Sequence, residues 1–466
     1  MTDAMTQRLR FQDEHLETMS AKQIADLQWS RLGPLLRDVW TNNAFFRAHW
    51  QAVGVDIDKI DSLAAFREGI PTVDKAAFMA DQQAYPPYGL RHAPILQAKL
   101  GHVPITTSGS SGQGVEIHLQ TRDDVANHDL LNRYYFKWAG LEPGDVAFLM
   151  MHVSLLAGGR CEYHAAVDYG LSVYPVAMHD TAKRLELMQR FRPKALIATT
   201  SYLGHLAAKS PAELSQLGII ALLCGAESAS AKWFHRLEAD FGAKAFDRYG
   251  LSQMATDHMF TCERGVGTDD NPGVLHNIDP FVLLEVIDPE TGKHVADGER
   301  GEIVLTSLYR AMVPVIRCRT NDSAIYRGAQ SCSCGRGFSG IQAGSVQRID
   351  DVKKVKGINI WPQAMDEAMF SFAEVHDYRV TLTSDSTEAD VGIVEFVAVG
   401  ELDVSTLDAL ADRIKTHLRN RIGIGFEVHP VAAAFPEAAS QKKQRWIEKR
   451  HHVLAPADAK PQPIQG

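Results

Sequence analysis

The sequence predicts an α/β protein with two domains. The large N-terminal domain is expected to hold mixed, largely parallel sheets covered by helices, and a small C-terminal α+β domain is expected to follow it. Between residues 146 and 306, short apolar runs alternate, at first, with amphipathic stretches, which is typical of strands joined by crossover helices. After Arg348 the pattern changes to two extended stretches, a helix and a last strand, about 110 residues in all, which is enough for a separate domain.

The large domain is predicted to span residues 1–347. Residues 14–52 are rich in helix formers with spaced apolar residues, so they are expected to form a helical layer on the sheet. The runs predicted as strands are VAFLMM, LSVYPV, ALIATT, IIALLCG, FVLLEVID and GEIVLT. The stretches predicted as intervening helices include TAKRLELMQRF and SAKWFHRLEADFG.

The small domain is predicted to span residues 350–455. Its expected elements are two strands, a helix and a last strand, with the sequences YRVTLTS, VGIVEFVAV, TLDALADRIKTHLRNR and FEVHPVAA. The polar, proline-containing residues 456–466 are expected to form a disordered tail.

The composition is that of a soluble globular protein, with 466 residues of which 45% are hydrophobic and 23% are charged. A net charge of −9 argues against a general nucleic-acid surface, and no apolar run is long enough to predict a membrane-spanning helix. The first residues are polar and carry acids, unlike a signal peptide, so a cytoplasmic enzyme is expected. The basic stretch at residues 440–452, taken alone, is interpreted as a solvated helix face.

A stretch of small residues, TTSGSSGQG at residues 106–114, is the first functional signal. Serine, threonine and glycine leave backbone N–H groups and hydroxyls unobstructed, and such groups hold phosphate oxygens. The stretch differs from the nucleotide-binding loop that carries Gly-Lys-Ser/Thr before a helix, because no lysine follows Gly112. Taken alone, it is as typical of a flexible linker or a hairpin turn as of a phosphate-binding loop.

The order of several motifs resembles that of the phenylacetate-CoA ligase group of the adenylate-forming enzymes, over about residues 71 to 446. The resemblance implies the adenylate-forming enzyme fold and two half-reactions. A carboxylate attacks the α-phosphorus of ATP to give an acyl-adenylate, and the thiol of coenzyme A then displaces AMP. ATP, Mg²⁺ and coenzyme A are the implied cofactors. The motifs are YPPYGLRHAP, TTSGSSGQG, CGAES, RYGLSQ, RCRTND, QRIDDVKKVKGINIWP and SQKKQRW.

The resemblance implies an ATP site at the matching positions. Lys442 is implied as the catalytic lysine that bridges the substrate carboxylate and the α-phosphate, and Gln253 stands at the second catalytic position, that of a Mg²⁺ ligand. Tyr249 is implied to stack on adenine, and Asp322 to accept hydrogen bonds from the ribose hydroxyls. The other implied ATP-binding residues are Ser108, Gly109, Ser110, Ser111, Gly112, Gly225, Ala226, Glu227, Ser228, Arg248, Gly250, Leu251, Ser252 and Arg348.

The same resemblance implies a hinge at Asp350 and a coenzyme A contact at Lys356 and Gly357. The positions that shape the acid pocket in the family are apolar or small here, with little charge. This mix predicts an aromatic acid, of the aryl or arylacetic type. The implied substrate-binding residues are Tyr135, Phe136, His152, Gly158 and Met254.

Three positions depart from the family pattern at the ATP phosphates. Gln113 and Gly114 stand where the family commonly has lysine and proline, and Gln253 stands where it usually has glutamate. A cation and an anionic ligand are therefore both absent from the expected places. A neutral amide is a weaker ligand for Mg²⁺ than a carboxylate.

These departures leave two other hypotheses open. In one, the enzyme adenylates its acid but transfers the acyl group to an amine or a carrier protein, or adenylates another oxyanion such as nitrite. In the other, the chain is a nucleotide-binding protein without catalysis, against which both Asp322 and Lys442 argue. The expected partners are ATP and a small carboxylic acid, with no nucleic acid and no membrane. A homodimer is left open.

A cysteine pair indicates a metal site. Cys332-Ser-Cys334 resembles a Cys-X-Cys-Gly-Arg knuckle present in part of the family, and Cys262 lies where such members have a further cysteine. His276 or His258 is the expected fourth ligand, which completes a tetrahedral set for structural Zn²⁺. The alternative is a group of reduced thiols without metal.

Overall fold

A computed structural model describes residues 10–107, 115–209, 214–227, 229–268, 270–356, 358–385, 390–400, 402–432, 435 and 445–450. The chain divides after Asp350 into two compact units, Met1–Asp350 and Asp351–Gly466. The tail expected to be disordered, residues 456–466, lies outside the described residues. Across the described chain, every helix is too short or too polar to span a bilayer.

The N-terminal part of the first unit is helical, with α1 (Glu14–Glu17), α2 (Ala21–Asn42) and α3 (Ala44–Gln51). Helix α2 begins with a capping box, in which the side chains of Ser20 and Gln23 each accept the backbone N–H of the other. The further helices are α4 (Leu63–Gly69), α5 (Lys75–Ala84), α6 (Ala93–Gln97), α7 (Arg122–Trp138), α8 (Ala157–Tyr169), α9 (Thr181–Phe191), α10 (Thr200–Lys209) and α11 (Ala231–Phe241).

A hairpin and a parallel sheet follow in the first unit. Strands β1 (Val103–Thr106) and β2 (Ile117–Gln120) pair antiparallel. The five-stranded sheet is wholly parallel, in the order β4-β3-β5-β6-β7. The two central strands are buried along their whole length, as expected for a sheet covered on both faces. Its strands are β3 (Val146–Leu149), β4 (Ser172–Pro175), β5 (Ala195–Thr199), β6 (Ala221–Gly225) and β7 (Lys244–Phe246).

A second, eight-stranded sheet in the first unit is antiparallel, with the order β11-β12-β13-β14-β10-β9-β8 and β15 paired to β13. The predicted strands FVLLEVID and GEIVLT belong to it rather than to the parallel sheet, because a short non-helical connection, residues 288–299, joins them as neighbours. Its strands are β8 (Arg248–Leu251), β9 (Thr256–Thr261), β10 (Val274–Asn277), β11 (Val282–Ile287), β12 (Arg300–Ser307), β13 (Cys318–Arg327), β14 (Gly340–Gln342) and β15 (Gln347–Arg348).

The second unit is an α+β domain built on a four-stranded sheet with the order β20-β19-β18-β21. A small hairpin precedes it. The last strand, three residues within the basic stretch interpreted as a helix face, pairs parallel to β18 and buries Trp446. The elements are β16 (Lys353–Val355), β17 (Ile358–Ile360), α12 (Pro362–Met369), β18 (Val375–Ser384), β19 (Asp390–Ala398), α13 (Val404–Ile422), β20 (Glu427–Pro430) and β21 (Trp446–Glu448).

Candidate active site

Strands β1 and β2 hold the two ends of the glycine-rich stretch together. The backbone N–H of Thr107 donates to the carbonyl oxygen of Glu116, and the N–H of Glu116 donates to Oγ1 of Thr107, both at 3.0 Å. The N–H of Thr106 donates to the carbonyl oxygen of Leu155, in the segment after β3 (2.9 Å). The predicted phosphate-binding residues lie outside the described residues; they are Ser108, Gly109, Ser110, Ser111 and Gly112.

The segment predicted to line adenine follows strand β6. Ala226 has a φ of 64°, in the left-handed region, which turns the chain sharply after the strand. The carboxylate of Glu227 accepts hydrogen bonds from the N–H (3.0 Å) and hydroxyl (2.9 Å) of Ser201, in the first turn of α10. Ser228 lies outside the described residues. The turn is thereby fixed at the carboxyl end of a parallel strand, where ligands bind in open α/β sheets.

Arg248, the first residue of β8, is enclosed by acidic side chains. Its guanidinium group contacts the Glu162 carboxylate and lies 3.2 Å from Asp257 Oδ2. A Cβ at Gly225 would lie 2.2 Å from Arg248 Nε, so only glycine fits beside it. Burial raises the pKa of the Glu162 carboxyl despite the arginine. These contacts fix Arg248 among buried acids, and its contact with ATP stays a prediction.

Tyr249 and Asp322, both predicted for the ATP site, meet directly. The Tyr249 hydroxyl donates to Asp322 Oδ2 at 2.8 Å, and Arg348 Nη1 lies 3.6 Å from Asp322 Oδ1. Strand pairing explains the second contact, because Asp322 and Arg348 are register partners in β13 and β15. Arg348 also donates to both carboxylate oxygens of Asp350, at 3.1 and 3.0 Å. The structure thus gathers three predicted nucleotide residues and the predicted hinge residue.

The rest of β8 passes close to β9 and leads into a turn. A Cβ at Gly250 would lie 2.4 Å from Asp257 Cα, so a side chain there would push the strands apart. The N–H of Ala255 donates to the carbonyl oxygens of Leu251 and Ser252, both at 3.0 Å. This turn carries Gln253 away from the strand.

The side chain of Gln253 contacts a buried carboxylate. Its Nε2 donates to Glu116 Oε2 at 3.0 Å, and its backbone carbonyl oxygen accepts from Arg310 Nη1 at 2.8 Å. The other Glu116 oxygen lies 3.1 Å from His118 Nε2 and 3.8 Å from Arg91 Nη2. Burial opposes ionisation of Glu116, but His118 and Arg91 outweigh it and lower the pKa of this carboxyl.

Sequence reasoning missed Glu116, His118, Arg91 and Arg310. A signal for the first two was present, because polar residues alternate with apolar ones in EIHLQ at the start of β2. Alternate residues of a strand share one face, so this pattern indicates a polar face beside the glycine-rich stretch. The two arginines had no such local signal.

The predicted acid-binding residues divide into core and surface. Tyr135 is fully buried, stacks on Phe260 with ring centroids 4.8 Å apart, and donates to the carbonyl oxygen of Phe246 at 2.8 Å. Phe136 and Met254 are also buried in hydrophobic cores. In this structure these three are core residues, and their contact with the acid stays a prediction.

The predicted residues between β3 and α8 lie at the surface. His152 is exposed, and Gly158 is half-buried in the first turn of α8, where a Cβ would lie 2.7 Å from Met151 Cε. The apolar side chains of Val153, Leu155 and Leu156 are 48%, 50% and 44% exposed. This segment lies next to the base of the glycine-rich stretch and exposes an apolar surface.

A family model for AMP-binding enzymes matches residues 72–311, which include the glycine-rich stretch and the Tyr249 and Gln253 segment. The chain belongs to the AMP-binding enzyme family. A second family model, for the C-terminal domain of AMP-binding enzymes, matches residues 357–450. Together with the coenzyme A ligases among the relatives of this chain, these matches confirm the enzyme class that the motifs predict, an AMP-forming acid–thiol ligase.

Curated relatives of this AMP-binding enzyme include phenylacetate-coenzyme A ligases. The one from Escherichia coli K12 is 27% identical over 454 residues, which cover 94% of this chain and 98% of the relative. The one from Thermus thermophilus is 26% identical over 436 residues, which cover 89% of this chain and 93% of the relative.

Solved structures share the fold of this AMP-binding enzyme. A 2-hydroxyisobutyryl-CoA ligase in complex with 2-HIB-AMP gives a TM-score of 0.84 at 22% identity, covering 95% of this chain and 94% of that one. An anthranilate CoA ligase in complex with anthranoyl-AMP gives 0.53 at 19% identity, covering 74% and 63% of the two chains. The predicted adenylate-forming fold is confirmed.

The predicted metal ligands of the AMP-binding enzyme lie together. One ligand atom from each of Cys262, His276, Cys332 and Cys334 lies within 4.8 Å of all the others, and all four residues are buried. Cys334 Sγ is 3.4 Å from His276 Nε2, and Cys262 Sγ is 4.0 Å from Cys332 Sγ. Hydrogen bonds from the neighbouring thiols lower the pKa of Cys334, which favours the thiolate that binds metals. His258 is not part of this group.

The predicted residues of the second unit fall mostly outside the described chain. Lys442 and Gly357 both lie there. Lys356 is exposed, with a φ of 50°, and its N–H donates to Asp390 Oδ2 at 2.8 Å. The carboxylate therefore holds the turn that leads into the coenzyme A contact predicted at these positions.

Proposed function

We propose that this AMP-binding enzyme converts an aromatic carboxylic acid to its coenzyme A thioester. The carboxylate oxygen attacks the α-phosphorus of ATP and pyrophosphate leaves; the thiol then attacks the acyl carbon and AMP leaves. The observation that carries the proposal is the linked set of Tyr249, Asp322 and Arg348, in which Tyr249 belongs to the strand that leads into the turn bearing Gln253. The names of the curated relatives support the same reaction.

In this proposal each residue acts through ordinary electrostatics. Two anions meet in the first step, so catalysis depends on hydrogen-bond donors and positive charge around the phosphates. The glycine-rich stretch would supply backbone donors, and Lys442 the charge at the reacting groups. Asp322 would accept hydrogen bonds from the ribose, and the contact with Tyr249 holds its carboxylate in place.

The described residues fit Mg²⁺ only in part. Gln253 offers an amide oxygen, and Glu116, the carboxylate beside it, is fully buried. Among the described residues, the cysteine and histidine cluster alone combines three or more metal-ligating side chains. Gln253 would therefore hold Mg²⁺ together with the ATP phosphates, and the ion would supply positive charge for the leaving pyrophosphate. Gln253 would be its contact with the protein.

The aromatic character of the acid is proposed from the segment between β3 and α8. Its exposed Val153, Leu155 and Leu156 offer an apolar surface on which a flat ring would pack. Among the relatives, the phenylacetate and anthranilate ligases act on such acids, whereas 2-hydroxyisobutyrate is not aromatic. The neutral side chains of Gln113 and Gln253 favour one alternative, in which the acyl group passes to an acceptor other than coenzyme A.

The test is pyrophosphate release with ATP and Mg²⁺ against benzoates, phenylacetates, amino- and hydroxy-substituted aryl acids and short fatty acids, each with and without coenzyme A. We expect release that depends on an aromatic acid and ends in an acyl-CoA. Lys442→Ala should abolish it, while Lys449→Ala, an exposed lysine of the same basic stretch, should not. Release without thioester would favour the other acceptors, and release with fatty acids alone would contradict the aromatic pocket.

We also propose that Cys262, His276, Cys332 and Cys334 bind a structural Zn²⁺. Three thiolates and one imidazole are a common set for such sites, and the burial of all four residues suits a closed site without a catalytic position. A bound ion would join the end of β9, strand β10 and the loop before β14. It would act on stability rather than on the reaction.

A further inference from the structure

The pair formed by Glu116 and Gln253 joins two parts of the candidate site that are 137 residues apart in sequence. Glu116 is fully buried, and its second oxygen is already close to His118. A buried carboxylate is costly unless its oxygens have partners. The hydrogen bond from the Gln253 amide therefore offsets part of the free-energy cost of burying this carboxylate.

The contact with Glu116 fixes the orientation of the Gln253 amide, that is, the positions of its nitrogen and oxygen. An amide has a donor end and an acceptor end, and these are assigned from hydrogen-bond partners. An ionised carboxylate only accepts, so the atom of Gln253 that faces Glu116 must be Nε2. The amide oxygen, the only atom of this side chain that suits Mg²⁺ or a phosphate-bound water, is left for other partners.

Both members of the pair are held by backbone contacts. Arg310, which is fully buried, donates to the carbonyl oxygens of Gln253 (2.8 Å) and Leu119 (3.0 Å). Glu116 and Thr107, which flank the glycine-rich stretch on its two sides, are joined by two hydrogen bonds. The carboxylate thus links the position of this stretch to the orientation of Gln253.

We propose that Glu116 is a positioning residue for ATP activation: it binds the amide nitrogen of Gln253, turns the amide oxygen toward the Mg²⁺–phosphate group of ATP, and supplies, from the position just before β2, the negative charge that position 253 lacks. This inference rests on the proposed function. It predicts that ATP binding needs an amide at one of positions 116 and 253 and a carboxylate at the other, and that the two can be exchanged.

The test is a cycle of the wild type, Glu116→Gln, Gln253→Glu and the exchanged double variant. Thermal unfolding without nucleotide and calorimetric binding of Mg·ATP are measured for each. Gln253→Glu places two carboxylates in contact, so it should unfold at a lower temperature. Although a carboxylate is the stronger Mg²⁺ ligand, repulsion from Glu116 should turn it out of position, so Mg·ATP should bind about tenfold more weakly. The exchanged variant should recover most of both losses, because an amide again faces a carboxylate.

The control combines Gln253→Glu with Glu285→Gln, which neutralises a different buried carboxylate, one paired with Arg317. The losses in unfolding temperature and in Mg·ATP affinity of this control should equal the sum of the losses of its two single variants. If the exchanged variant is no better than the sum of its single changes, the proposal is overturned. Should Gln253→Glu not fold, Gln253→Met replaces it. The double variant Glu116→Gln with Gln253→Met should then lose less Mg·ATP binding free energy than the sum of its single variants. Losses that add in full contradict the pairing.

Failure of the proposed function would be recognised separately. A wild type that binds Mg·ATP but releases no pyrophosphate with any acid contradicts the ligase assignment. The unfolding and binding cycle still decides whether Glu116 positions Gln253, since neither measurement needs turnover.

Discussion

The hydroxyl of Tyr249 has a role that the motif alone does not suggest. Its ring is implied to stack on adenine, while its oxygen donates to Asp322, the expected ribose ligand. Hydrogen bonds to charged groups contribute about 1.5–3 kcal/mol. We expect Asp322→Asn to weaken ATP binding by about tenfold or more, and Tyr249→Phe, which keeps the ring, to weaken it less. Calorimetric titration with ATP measures both, and equal losses would contradict the division of roles.

The cysteine cluster gives a second prediction for single residues. Protein purified without chelator should contain about one equivalent of zinc, and Cys334→Ser should lose it and unfold at a lower temperature. The matched control is Cys318→Ser, since Cys318 is buried too but stands outside the cluster. Zinc content below about a tenth of an equivalent in the wild type would remove the proposed site, because a closed structural site retains its ion.

Among the elements, the short helical turn Leu90–His92 is tied to strand β2 by a histidine that must stay neutral. Nδ1 of His92 donates to the carbonyl oxygen of Tyr88 (2.5 Å), which leaves Nε2 to accept from the N–H of Leu119 (3.2 Å). Burial and the charge of Arg91 lower the pKa of His92 to about 2. Below about pH 6.5 the unfolded chain therefore binds a proton that the folded chain does not.

The free energy of unfolding should consequently fall as the pH drops below about 6.5, with up to about 1.4 kcal/mol per pH unit from this histidine. His92→Gln keeps an acceptor without a titrating group, so its stability should change less over this range. Urea unfolding between pH 4.5 and 7 measures the slopes, with the exposed His179→Gln as control. An unchanged slope in His92→Gln would refute the prediction.

How far the sequence predicts the elements depends on how local each signal is. The parallel strands with their helices follow from alternating apolar and amphipathic stretches, and they are present. Strands β11 and β12 have similar apolar sequences, but their sheet is decided by pairing partners distant in the chain. Strand β21 was missed because packing of Trp446 against the sheet outweighs the charge of its neighbours. Glu116 and Gln253 meet only in the folded chain.

At the scale of the whole molecule, the division after Asp350 bears on the reaction. The proposed half-reactions need different parts of the second unit, Lys442 for adenylation and the positions Lys356 and Gly357 for thioester formation. Asp350→Pro fixes the backbone φ at the proposed hinge. The variant should therefore slow the complete reaction far more than it slows a single half-reaction that is measured alone. Asp351→Asn is the control. Single-turnover kinetics measure each step, and undiminished turnover in Asp350→Pro would contradict the hinge.

In the proposed reaction, an acid is activated as an adenylate before it reaches coenzyme A. The most direct measurement is mass spectrometry of a single turnover with ATP, Mg²⁺ and an aromatic acid, before and after coenzyme A is added. We predict an acyl-adenylate that accumulates first and is replaced by AMP and an acyl-CoA. ATP binding with no adenylate from any acid, or a thioester that forms with ADP instead of AMP, would contradict it.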